Sequence, residues 1–358
     1  MSAMAPADVR ATISRRAPPT TGDGMELGQV VIEKVRSAVL EGNRAGDPPV
    51  RRVPVYLPPS YADSPARRYP VCYVLAGFTG RGRMLLNDNP WNAALDDRMD
   101  ALIASGACGE MILVMPDCFT RYGGSQYLNS SATGRYMDHL IEELVPLIDA
   151  RYRTRPGREH RGVVGKSSGG YGALVLGLMH PGTFGAVACH SGDMYFEYCY
   201  LPDVPKFCTQ VQAAGGLAPW LERFEGKRQK SHDDMLTLNL LGMAAAYSPN
   251  PDAAPFGIDL PCDLETGALR EDVWRRWLEH DPLRILESRA DALHSMKLLT
   301  LDCGTRDEWS LHHGARLFSR RLEALGIAHE HEEFDDGHMN VQYRYDVSLP
   351  RLARALGA

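Results

Sequence analysis

The sequence predicts an α/β fold with a mostly parallel sheet covered by helices on both faces, and three observations carry that prediction. Short, nearly uninterrupted apolar runs such as Val71-Cys72-Tyr73-Val74 recur along the chain, as expected of strands buried on both sides. They alternate with longer segments of helical periodicity, the rhythm of βα units. At 358 residues the chain can bury one large core with an insertion, or two domains. Nothing in the composition argues for disorder.

Residues 1–24 mix Pro, Thr and Arg without an apolar stretch, so they read as a mobile tail and not as a secretory leader. Val30-Val31-Ile32 with Val35, then Val53 to Leu57, predict two antiparallel strands joined by the loop 42–49. Further strands are predicted at 70–75, 111–115, 162–164, 186–189, 298–301 and 330–334. Helical patterns fall at 91–104, 134–150, 170–179 and 311–325, with a last helix from about 338 to 356.

The rhythm breaks between 194 and 284, where aromatics cluster (Tyr195, Phe196, Tyr198, Tyr200, Trp220) and a Pro- and Asp-rich stretch spans 249–261. This is too long for an ordinary loop. We expect a cap or lid over the carboxyl ends of the strands, where such sheets bind ligands. It divides an α/β core made of residues 25–193 and 285–358. The alternative is a surface excursion with a small core of its own.

Charge and cysteine usage exclude several classes. A formal net charge of −6 gives no general attraction for nucleic acid or for an anionic membrane surface. The longest uncharged stretch, 171–192, is interrupted by His180-Pro181-Gly182 and is not a membrane span. The eight cysteines contain no CxxC pair and mostly sit in apolar runs, so they read as small buried hydrophobes in a cytoplasmic protein. His329 and His331 alternate on a strand but lack a third ligand with suitable spacing, so they read as exposed strand residues and no metal is expected.

One segment carries chemistry. Arg161 to Leu174 reads as a buried strand, the turn Gly165-Lys166-Ser167-Ser168-Gly169, and the first turns of an apolar helix. Gly-x-Ser-x-Gly alone is weak in a chain with 34 glycines; within strand–turn–helix it is a nucleophile elbow. Close approach of strand and helix requires small residues two positions either side of Ser167, and Gly165 and Gly169 supply them. The turn exposes the Ser167 hydroxyl, and the Ser168 N–H lies at a helix N-terminus where an oxyanion can bind.

A serine hydroxyl needs a base, and the base needs an acid to hold its tautomer. In this architecture the acid follows a late strand and the histidine follows the last one. Leu298 to Glu308 is a strand running into an acidic loop. Asp307 is the favoured acid, because Asp302 falls inside the strand and Glu308 one residue too far along. Asp335-Asp336-Gly337-His338 follows the last strand, which makes His338 the base, with Gly337 letting the loop turn sharply. His190 ends the strand after the elbow helix and is expected to border the pocket. Val74-Leu75-Ala76-Gly77-Phe78-Thr79-Gly80 offers a second oxyanion donor, the Phe78 N–H. The same loop lacks the Lys-Ser/Thr of a Walker motif and the glycine spacing of a dinucleotide site.

The set Gly77-Phe78-Thr79-Gly80, Pro116-Asp117, Gly165-Lys166-Ser167-Ser168-Gly169-Gly170, Cys303-Gly304-Thr305-Arg306-Asp307 and Gly337-His338 resembles the esterase D family of α/β-hydrolases over about residues 50–193 and 296–357. That family includes S-formylglutathione hydrolases, feruloyl and siderophore esterases and mycolyltransferases. The resemblance implies the α/β-hydrolase fold, a Ser167-His338-Asp307 triad and an oxyanion hole of the Phe78 and Ser168 N–H groups. Ala76 stands where many relatives have His, and Ser168 where many have Met; neither change removes a backbone donor. The expectation is a serine carboxylesterase acting on a small-molecule ester or thioester through an acyl-enzyme, without metal or cofactor and with a homo-oligomer left open. The rivals are acyl transfer by the same triad and a catalytically silent binding scaffold.

Overall fold

The computed structural model describes residues 27–358; the sequence-predicted tail 1–24 lies outside the described residues. Eight strands form the central sheet: β1 (Gln29–Arg36), β2 (Val50–Leu57), β3 (Val71–Leu75), β4 (Ile112–Val114), β5 (Arg161–Lys166), β6 (Ala186–His190), β7 (Leu298–Gly304) and β8 (Glu330–Phe334). Their order across the sheet is β1-β2-β4-β3-β5-β6-β7-β8. Only β2 opposes its neighbours; from β4 to β8 every pairing is parallel. Helices cover both faces, and this is the α/β-hydrolase fold.

The central strands explain their own sequence. All five residues of β3 are buried, with Val71, Tyr73 and Leu75 in the apolar cluster of one face and Cys72 and Val74 in that of the other. A strand covered on both sides therefore shows no polar alternation. At the edge, β8 is Glu330-His331-Glu332-Glu333-Phe334, and Arg344 and Arg351 pair with Glu332 while Arg316 pairs with Glu333. Charge on an edge strand discourages further pairing.

On one face lie α1 (Leu95–Ala104) and α10 (Tyr345–Leu356). On the other lie α2 (residues 136–151), α3 (Ser168–Met179), α8 (Pro282–His294) and α9 (Leu311–Ala324). Two predicted helices start later than expected. Asn89 forms a turn with Trp91 and Asn92 before α1, and Asn340, with φ 59°, interrupts the chain after His338 so that α10 begins at Tyr345. Within α2, residues His139–Leu144 widen to π-helical turns; Pro146 just beyond cannot donate the bond that α-helical spacing demands.

Between β6 and β7 the chain inserts α4 (Val204–Ala213), α5 (Leu217–Gly226), α6 (His232–Tyr247) and α7 (Glu271–Leu278). Ser231 and Asp234 form a reciprocal capping box at the start of α6, satisfying two otherwise unpaired N–H groups. Phe196, Tyr200, Tyr247 and Trp277 of this segment pack with Tyr171 of α3 in a chain of ring contacts 4.8–6.2 Å apart. The insertion thus shares one apolar cluster with the sheet face. That explains why α3 is apolar on every side.

All eight cysteines are buried and unbridged, and no helix among the described residues is long and apolar enough to cross a membrane. No group of His, Cys, Asp and Glu there could hold a metal. His329 precedes β8 and bonds Ser319 Oγ at 2.7 Å, and His331 is half-buried, so neither is the exposed strand residue expected.

His280, at the end of α7, stacks on Tyr247 with ring centroids 5.3 Å apart. Burial, helped by the Arg276 charge, pushes its imidazole down to about 4. The unfolded chain takes up that proton near the ordinary value of ~6.5, so this group's contribution to stability is lost as pH falls from about 6.5 towards 4. His280→Phe, which keeps the stacked ring, should flatten part of the fall in thermal midpoint across that window. An unchanged slope would rule out His280 as its source.

Candidate active site

The turn between β5 and α3 holds Ser167 at φ 60°, ψ −129°, a conformation costly for any residue with a side chain. Its N–H donates to the His190 carbonyl at 2.9 Å and its carbonyl accepts from the Tyr171 N–H at 2.9 Å, so both neighbours pin it. The flanking glycines are required by space. A Cβ on Gly165 would stand 2.3 Å from the Gly169 carbonyl oxygen, and one on Gly169 2.2 Å from the Leu75 oxygen.

The loop after β3 passes beside the serine: a Cβ on Gly77 would lie 3.5 Å from Ser167 Cβ and 4.0 Å from its Oγ. Phe78 follows, its ring against Gly123 and against Gly242 of α6. Among the described residues neither the Phe78 nor the Ser168 N–H has a backbone or side-chain acceptor. Two uncommitted donors beside a serine hydroxyl are suited to receive an oxyanion.

His338 and Asp307 meet on the loops after β8 and β7, with Nδ1 to Oδ2 at 2.8 Å, His338 4% and Asp307 5% exposed. The carboxylate is itself held: its Oδ1 accepts from the Trp309 and Leu311 N–H groups at 3.0 and 3.4 Å. The Trp309 ring stands 4.7 Å from the imidazole. A bond at Nδ1 leaves Nε2 as the nitrogen free to exchange a proton.

Glu308 binds the His338 backbone N–H at 2.6 Å, so it holds the loop and not the imidazole, a role the sequence did not reveal. Asp302 bonds His190 Nδ1 at 2.8 Å, and His190 Nε2 meets Ser348 Oγ at 2.8 Å. Both nitrogens of His190 are engaged beneath α10, with the ring against Tyr345. His190 therefore does not border the pocket, because strand alternation turns its side chain to the opposite face. Its pairing with Arg344 and His190 keeps the Asp302 carboxyl below the usual range despite burial.

Gly337, before His338, does not take positive φ, which falls on Asn340 further along the loop. What Gly337 meets is crowding, since a Cβ would lie 2.9 Å from Glu308 Oε1. Lys166, beside the serine, is half-buried, and burial pushes its amine down while Asp307 and Glu308 oppose that shift.

The family described as "Putative esterase" matches residues 49–349. The chain belongs to this esterase family. An endo-1,4-β-xylanase/feruloyl esterase of Xylanibacter ruminicola is 31% identical over 153 residues, which are 39% of this chain and 19% of that protein. The chain spans 62% and 19% of the length of two curated relatives that it matches. Among solved structures, a ferulic acid esterase superposes with TM-score 0.59 at 21% identity, covering 92% of this chain and 99% of that one. An S-formylglutathione hydrolase from Agrobacterium tumefaciens gives TM-score 0.57 at 17% identity, covering 94% and 98%. At these identities the structures speak for the α/β-hydrolase fold.

Ser167→Gly should raise the thermal midpoint, because it relieves roughly 1–3 kcal/mol of backbone strain, whereas Ser167→Ala should leave it nearly unchanged. Gly169→Ala should lower it by many degrees, since backbone must move. Equal midpoints for all three variants would refute the strained turn.

Proposed function

We propose that this esterase-family chain is a serine carboxylesterase that hydrolyses a small-molecule ester through a covalent acyl-enzyme. The observations that support it most are the buried Asp307–His338 bond on the loops after β7 and β8 and the strained elbow that holds Ser167 after β5 of the same sheet. His338 takes the Ser167 proton as Oγ attacks the ester carbonyl, and the Phe78 and Ser168 N–H groups receive the oxyanion. His338 returns the proton to the leaving alcohol, then activates the water that releases the acid. Asp307 holds the tautomer and balances the imidazolium charge. No metal or organic cofactor enters this scheme.

For the acyl group we favour an aromatic acid. The support is Trp309 beside His338, with the Tyr195 and Tyr198 rings tilted against each other, centroids 4.3 Å apart, on the segment after β6, and the feruloyl esterase named among the relatives. The segment 194–284 is proposed to act as the cap, because α6 touches the Phe78 ring. Nucleic acid and membrane are not proposed as partners. A cytoplasmic location is proposed on eight unbridged thiols; titration of the denatured protein should count eight, and six would point to an oxidising compartment.

A fluorophosphonate probe should label the wild type, and Ser167→Ala should abolish both labelling and ester hydrolysis. Asp307→Asn should lower kcat about 10⁴-fold, and Glu308→Gln, which keeps an acceptor, by less than about tenfold. A larger loss in the Glu308 variant would reassign the acid. Methyl ferulate should be cleaved with higher kcat/KM than S-formylglutathione; the reverse order would overturn the acyl preference, and a folded, unlabelled wild type would overturn the enzyme reading.

A further inference from the structure

Two consecutive non-glycine residues, Gln126 and Tyr127, sit at φ 52° and 56°. Left-handed backbone at two adjacent side-chain-bearing positions is costly and persists where surrounding contacts impose it. Each of the two side chains reaches a different part of the proposed oxyanion hole. Tyr127 donates its hydroxyl to the Ala76 carbonyl at 2.6 Å, immediately before Gly77-Phe78. Gln126 donates Nε2 to Asp193 Oδ2 at 3.0 Å, and that same oxygen accepts from Ser168 Oγ at 3.2 Å.

Asp193 connects insertion and core. Besides Gln126 and Ser168, its Oδ2 accepts from the Tyr200 hydroxyl at 2.9 Å, and Gln126 also donates to the Tyr247 hydroxyl of α6 at 2.9 Å. Gly192 brings the chain against the first turn of α3; a Cβ there would lie 2.9 Å from the Tyr171 nitrogen. Asp193 is 7% exposed. Burial pushes its carboxyl up, while its three donors and the His338 charge oppose that.

We infer that Gln126, Tyr127 and Asp193 are positioning residues that clamp the two oxyanion donors, Tyr127 through Ala76 to the Phe78 N–H and Gln126 with Asp193 through Ser168 to the Ser168 N–H. This inference rests on the serine-esterase reading above. The clamp is seated on Tyr200 and Tyr247, so docking of the insertion helices fixes the geometry of the hole. Donors aimed at the transition-state oxygen raise kcat and leave ground-state binding largely alone, and a misplacement of about 1 Å costs up to about a hundredfold.

The test is steady-state kinetics on one ester with the full chain, alongside thermal midpoints. Tyr127→Phe and Asp193→Ala should each lower kcat about tenfold to a hundredfold, with KM changed less than about threefold. Asp193→Asn, which keeps an acceptor of the same shape, should recover most of the loss. Ser168→Ala should lower kcat comparably, and Ser168→Ala/Asp193→Ala should be no worse than the poorer single variant, because both cut one link. Multiplying losses, or kcat within twofold of wild type in Tyr127→Phe and Ser168→Ala, would overturn the clamp. Should Asp193→Ala fail to fold, Tyr127→Phe and Ser168→Ala decide the matter alone. Normal fluorophosphonate labelling with unaffected variants sinks only the clamp, whereas an unlabelled wild type sinks the reading beneath it.

Discussion

The site depends on how closely β5 and α3 approach at Ser167. Backbone of Gly165, Gly169 and Leu75 meets with no room for a single Cβ, and the serine between them is forced to positive φ. That crowding projects the side chain out of the sheet and leaves the following N–H without a helical acceptor. Parallel pairing of β3, β5 and β6 in register keeps the turn in place, since the Ser167 N–H is held by the last carbonyl of β6.

Besides Asp307–His338 the same sheet carries another His-Asp pair, His190–Asp302, extended by Ser348. Ser348, His190 and Asp302 are linked by bonds of 2.8 Å, as short as the Asp307–His338 contact. Yet His190 is buried beneath α10 with both nitrogens committed, and Asp302 is further engaged by Arg344. A fully paired buried network contributes rigidity and a defined arrangement of β6, β7 and α10. It offers no nitrogen to a substrate. Residue types alone are therefore a poor guide, and which face of the strand they occupy decides their role.

Insertion and core meet through apolar and polar contacts at once. The rings of Tyr171, Phe196, Tyr200, Tyr247 and Trp277 bury one continuous surface, while Asp193 and Gln126 lie at its inner edge. A buried carboxylate is costly unless satisfied, and three donors converge on it. Specificity of docking follows, because displacing the insertion would leave Asp193 short of the Tyr200 donor.

By itself the sequence determined the fold class, the strand pattern of the parallel region, the sharp turn at Ser167 and the loops that carry Asp307 and His338. Those features are local: apolar runs mark doubly covered strands, and glycines flank a turn that tolerates nothing larger. Only the tertiary structure decided that Glu308 holds the His338 backbone, that His190 faces α10, that Gly337 answers to crowding from Glu308, and that Asp193 lies against Ser168. Each of these pairs residues tens of positions or more apart, or depends on which face of a strand a side chain takes. Within 194–284 the signal is weakest at α6, where burial of nearly every residue from Leu236 to Tyr247 leaves no polar face to set an amphipathic period.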